Sequence, residues 1–127
     1  MQRRTINAAD APQSQGGYAQ AVETSGVART LYISGQIPAG VDGSVPAAFS
    51  DQARLAWANV EAQLRAAGMT FDNLVKVTIF LADRKYAMEN RAARAEALGD
   101  RRVAMTVVIA GIFDAAWLLE IEAVAAA

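Results

Sequence analysis

A chain of 127 residues, 54% of them hydrophobic, fits a single domain over residues 1–127 with ample material for a core. It has no cysteine and no histidine, which excludes thiolate nucleophiles, disulfides, imidazole bases and nearly every zinc site. No metal or other cofactor is expected, and a formal charge of −1 offers no basic field for a phosphate backbone, so nucleic acid is an unfavoured partner.

No apolar run reaches bilayer-spanning length, and Met1-Gln2-Arg3-Arg4 leads into a polar segment rather than a signal-peptide core. The expectation is a cytoplasmic protein with no membrane partner. A small domain this apolar, with few charges, often hides surface between subunits, which points to a homo-oligomer.

In chain order, residues 13–20 read as a loop in which Gly16-Gly17 presents Tyr18. Strand signals follow at 20–23 and 30–34, with a turn at Gly26, and predict a hairpin. Gly35, inside the extended Ser34-Gly35-Gln36-Ile37-Pro38, suggests a bulge or a close approach of backbone to another group. Asp42-Gly43 centres a tight turn over 40–46. Phe49, Ala53, Ala56, Trp57, Val60, Leu64 and Ala67 then recur at three- and four-residue steps, the buried stripe of an amphipathic helix that Gly68 ends.

Val75 to Leu81 is β-branched and aromatic at strand length, and Asp83 supplies an acceptor suited to starting a second helix, about 85–98, with Gly99 as its stop. That helix carries Arg91, Arg94 and Glu96. Strands at 103–110 and 117–123, separated by Gly111 and a turn at Asp114, are predicted to pair. In the last, the period of two puts Trp117, Leu119, Ile121 and Ala123 on one face and Leu118, Glu120, Glu122 and Val124 on the other. The order predicts an α+β layer, a mixed sheet with both helices on one face and a second face that needs cover.

Glu120 is the leading catalytic candidate, because a carboxylate among apolar strand residues is costly to desolvate unless it is paired or used. On the residues alone, a solvated or interface pairing of Glu120 and Glu122 with an arginine is the stronger alternative.

The run Ala66-Ala67-Gly68-Met69-Thr70-Phe71-Asp72-Asn73-Leu74-Val75-Lys76-Val77-Thr78-Ile79-Phe80-Leu81-Ala82-Asp83, the Ser-Gly-Gln-Ile-Pro segment, and Glu120-Ile121-Glu122-Ala123 resemble the Rid proteins. These are the reactive intermediate deaminases, also labelled endoribonuclease L-PSP, and the resemblance extends from near the start of the chain to its end. It implies a chorismate mutase-like fold, a homotrimer, and small-molecule sites in clefts between subunits. It further implies that Glu120 positions the water that attacks an imine, with Tyr18, Ser34, Gly35 and Asn90 lining the cleft. The implied activity is hydrolysis of a small enamine or imine to a carbonyl compound and ammonia. Each lining residue also has a plain structural use, in loop packing, a strand end, a bulge or a backbone bond.

The chain departs from the family at one position of consequence. Active imine deaminases of the family bear an arginine in the penultimate strand that grips the substrate carboxylate, and a gap-free alignment back from Glu120 puts Met105 there and Val107 at a usual cysteine. Methionine neither donates a hydrogen bond nor carries charge, so this lining implies a less charged ligand than 2-iminobutanoate-type acids. Arg102 lies close enough to substitute, but a three-residue shift would reverse the faces set by Val103, Met105, Val107 and Ile109. A trimer that kept the cleft only to bind a small ligand or regulate a partner is the alternative. A ribonuclease ranks last, given the charge and the absent histidine.

Overall fold

The computed structural model describes residues 1–127. Its elements are β1 (Gln2–Ile6), β2 (Ala21–Ser25), β3 (Thr30–Gln36), α1 (Phe49–Ala66), β4 (Leu74–Leu81), α2 (Ala87–Leu98), β5 (Ala104–Ile109) and β6 (Leu119–Ala126). Gly68, at φ +70°, ends α1 in a two-bond Schellman arrangement: its N–H donates to the Arg65 carbonyl at 2.9 Å and that of Met69 to the Leu64 carbonyl at 2.8 Å. Both Leu64 and Met69 are buried, so the stop also turns the chain back into the core. Asp83 caps the turn before α2 by accepting from the Lys85 N–H at 2.9 Å, and Gly99, at φ +60°, closes that helix.

The main sheet has four strands in the order β3-β6-β4-β5; β6 is antiparallel to both neighbours and β5 is parallel to β4. Two predicted pairings are corrected here. β2 does not form a hairpin with β3 but pairs with β1 in a separate two-stranded sheet, Gln2 opposite Ser25 and Ile6 opposite Ala21. Alternation identifies extended segments without naming their partners: Leu31 and Ile33 of β3 have a core to reach, whereas β1 and β2 bury no residue fully. Nor do β5 and β6 pair with each other. β4, α2 and β5 form a parallel crossover unit, and β6, whose Leu119, Ile121 and Ala125 are completely buried, takes the central place between β3 and β4. β5 is left as an edge strand.

Both helices cover one face. Trp57 of α1 meets Phe71 edge to face at 6.0 Å, and Phe49 stacks on Tyr86 at 4.8 Å. Val60, Leu64, Leu74, Val77, Ile79, Leu81, Leu119 and Ile121 form the centre of the core. The face without helices carries Tyr32, Lys76, Thr78, Phe80, Thr106, Val108, Glu120, Glu122 and Val124, a mixture of apolar and charged groups. Tyr32 is 79% exposed there, so within one chain this face is open. No helix is long and apolar enough to cross a membrane.

Candidate functional site

Glu120 stands on β6 opposite Phe80 of β4 and projects, half-buried, from the helix-free face. The strand beside it is irregular: Ile33 pairs with Ala123 and Gln36 with Ile121, so β3 carries one residue more than β6 across this interval. That bulge contains Ser34 and Gly35, and it brings the Gly35 backbone against the Glu120 side chain. A methyl group built on Gly35 would come within 2.7 Å of Glu120 Cδ, closer than real side chains approach. The glycine is therefore a steric requirement of the carboxylate's position. Beyond the carboxylate lies a cavity of about 230 Å³ lined by Phe80, Gly111, Ile112, Phe113 and Glu120. Exposed Ser34 opens instead onto a neighbouring cavity of about 360 Å³, shared with Tyr32, Thr78 and Glu122 among others.

Gln52 holds the approach to Glu120 in place. Only 1% exposed, its amide donates to the Pro46 and Ala116 carbonyls at 2.8 and 2.9 Å, and its carbonyl accepts from the Leu118 N–H at 2.8 Å. It ties α1 to the loop entering β6, two residues before the carboxylate. This residue was missed in the sequence, although a polar side chain three residues after Phe49 and four before Ala56 falls within the apolar stripe.

The remaining candidates gather elsewhere. Met105 and Val107 of β5 stand beside Val77 and Ile79 of β4, both fully buried on the helix side. Met105 is partly buried against the core, while Val107, two residues farther along the edge strand, is 42% exposed. From α2, Asn90 is 4% exposed and its Oδ1 has no hydrogen-bond partner in the chain. One turn later Arg94, 9% exposed, donates from Nη1 to Met105 Sδ at 3.5 Å. Burial lowers the proton affinity of Arg94 below the ordinary arginine value, and the charges of Arg91 and Arg102 lower it further, while neighbouring Tyr18 raises it. Tyr18 is half-buried, its hydroxyl accepting from the Gln15 N–H at 3.3 Å.

Arg102 is exposed, precedes β5 and donates to the Asp100 carbonyl at 3.1 Å. Its Nη1 lies beside Gly17, and the β4–β5 register, Val77 opposite Met105, keeps Met105 rather than Arg102 in the strand. The cation that reaches Met105 is Arg94, which the sequence reading placed only among the charges of the second helix. Its signal was spacing: Asn90 and Arg94, four residues apart, share one helix face.

One chain thus holds two groups on opposite faces of its sheet, Gly35 with Glu120 on one side and Asn90, Arg94 and Met105 on the other. No cluster of three or more acidic side chains is arranged to hold a metal ion.

Comparison with known proteins identifies the lineage. The family model for endoribonuclease L-PSP matches residues 8–127. The chain is 44% identical over 85 residues to the 2-iminobutanoate/2-iminopropanoate deaminase of Mus musculus, a match covering 64% of this chain and 59% of the mouse protein. It is 31% identical over 125 residues to a RutC family protein of Pyrococcus horikoshii, covering 97% of each. Among solved structures, a Rid family protein of unknown function from Yersinia pestis superposes with a TM-score of 0.83 at 26% identity over 100% of both chains. Escherichia coli TdcF with bound serine gives 0.72 at 30% identity over 98% of each. The chain belongs to the endoribonuclease L-PSP family, the Rid proteins.

Proposed function

We propose that this protein hydrolyses a small imine or its enamine tautomer to a carbonyl compound and ammonia, in clefts formed between subunits of a homotrimer. The observation that carries the reading is the carboxylate of Glu120 held against the bare α-carbon of Gly35 at the rim of an apolar cavity. A carboxylate there orients a water molecule and accepts one of its protons as oxygen bonds to the imine carbon. That proton passes to nitrogen to complete the carbinolamine; the carboxylate then takes the carbinolamine's hydroxyl proton and delivers it to nitrogen as the C–N bond breaks and C=O forms, so the sum is imine plus water to carbonyl plus ammonia. An imine is already electrophilic, and modest acid–base help suffices.

The trimer enters through the topology. Asn90, Arg94 and Met105 lie across the sheet from Glu120, so within one chain the two groups cannot meet over one small substrate. A second copy whose edge strand β5 docks by the helix-free face of the first would join them. The open β5 edge, with Val107 42% and Ile109 37% exposed, offers a surface for that contact. The name carried by the mouse relative supports the chemistry, and it does not fix the substrate of this chain.

The test is ammonia release from 2-aminoacrylate and related 2-imino acids, generated in the assay by an amino-acid lyase or oxidase, in wild type and Glu120→Gln. Turnover by wild type with a loss of about 100-fold or more in the variant is the expected outcome. Full turnover by Glu120→Gln removes the proposed role. Intact trimers that bind ligand without turnover would instead favour a binding protein.

A further inference from the structure

Arg94 is a cation buried without a counter-charge. The ion pairs within the chain use Arg4, Arg54, Arg65 and Arg101, and none includes Arg94. The residue as a whole is 9% exposed, so its charge is partly desolvated, a cost that an anion or a set of strong acceptors ordinarily offsets. Its hydrogen bond here is to a thioether, a weak acceptor, at 3.5 Å. Two further cations, Arg91 and Arg102, act on it repulsively, and neither has an acidic partner within ion-pairing distance. An anion entering beside Arg94 would therefore meet a cation that no carboxylate of the chain already neutralises, with two more of the same sign acting on it.

Asn90 adds a second, independent observation. Its Oδ1 is buried and unpartnered one helical turn from Arg94, so an unfilled acceptor stands beside an unfilled forked donor. A ligand that answers both carries a carboxylate and an N–H group close together.

We propose that Arg94 is the carboxylate clamp of this protein, receiving a small monocarboxylate in a two-pronged bond from α2, with Asn90 accepting from the ligand's N–H. The inference rests on the deaminase reading and narrows it to 2-imino acids, in place of the less charged ligand that Met105 suggested. Met105 brings no charge of its own to the strand, and the helix delivers a cation to within hydrogen-bonding distance of that side chain. A carboxylate paired with a planar guanidinium is held in a fixed orientation, which a substrate needs before water attacks its neighbouring carbon.

The test uses the intact protein and 2-oxobutanoate, the stable keto acid corresponding to such a substrate, with 2-butanone as its neutral counterpart. Titrated into wild type, 2-oxobutanoate is expected to shift the Arg94 Nε–H resonance saturably while 2-butanone leaves it unmoved. Arg94→Gln should weaken 2-oxobutanoate binding by about 30-fold or more. Arg54→Gln, at an exposed helix site, should not weaken it, and Met105→Arg added to Arg94→Gln should recover part of the loss. If Arg94→Gln does not fold, the wild-type titration decides by itself. Equal binding by folded Arg94→Gln, an unmoved Arg94 resonance at saturation, comparable affinity for 2-butanone, or no binding of 2-oxobutanoate each overturns the clamp. Ammonia release that depends on Glu120 but is indifferent to Arg94 would overturn the clamp and leave the deaminase reading standing. Carboxylate binding through Arg94 without any turnover would do the reverse.

Discussion

Gly35 lies directly under the Glu120 side chain, so close that a methyl on its α-carbon would stand 3.0 Å from Cγ and 2.7 Å from Cδ. The φ of Gly35 is not positive, so alanine meets no backbone strain there. The atoms in its way are the far end of a flexible side chain, and they can move. Gly35→Ala is therefore expected to leave the thermal midpoint within about 4 °C of wild type. Displacing the carboxylate by about an ångström should lower kcat/KM for a competent imine on the order of 100-fold. Calorimetry and steady-state kinetics on the same preparation check this, and unimpaired turnover would deny the glycine its role.

Gln52 is predicted to matter for stability. Gln52→Leu keeps the volume but leaves the Leu118 N–H and the Pro46 and Ala116 carbonyls without their present partner. A loss of about 2–4 kcal/mol follows from buried groups left unpaired. Chemical denaturation measures it, and a change below about 0.5 kcal/mol would mean that other groups take over those bonds.

Gly68→Ala tests the helix stop. At φ +70° a Cβ is strained even though no atom lies within 4 Å of where it would be. The expected cost is about 1 kcal/mol, arising from conformation alone. Gly111→Ala, also with nothing within 4 Å but without a positive φ, should be close to neutral. Comparing the two by urea denaturation separates backbone strain from crowding.

The helix-free face provides the prediction about assembly. Val124 sits there beside Tyr32 of β3 and two residues beyond Glu122 on β6. Val124→Asp adds a third carboxylate to a face that already carries Glu120 and Glu122, so closing it against another copy becomes costly. Sedimentation should report dissociation toward monomer, with the far-ultraviolet dichroism of the folded chain retained and deaminase activity lost. A variant that assembles as wild type does would show that this face is not the interface.

Several features were legible in the sequence because they depend on near neighbours along the chain. The apolar stripe of α1, the stops at Gly68 and Gly99, the Asp83 cap and the alternation that turns Glu120 away from Leu119 and Ile121 follow from periodicity and backbone preference. The bulge or close approach at Gly35 was legible too, since a glycine in an extended segment signals something that a side chain would obstruct.

Tertiary structure decided the partners. Alternation marks a strand but not its neighbour, so β2 joined β1, and β6 took the centre of the main sheet because its Leu119, Ile121 and Ala125 bury completely there. The same limit concealed Arg94. Along the chain it is one arginine among several on an alanine-rich helix, and its burial exists only once the fold brings its side chain to Met105 and the loop at Gly16. That arrangement buries most of the residue and sets its guanidinium against Met105 without an acid to neutralise it. Local sequence determines what a residue is and which way it faces; only the assembled fold determines which charges are left without a partner.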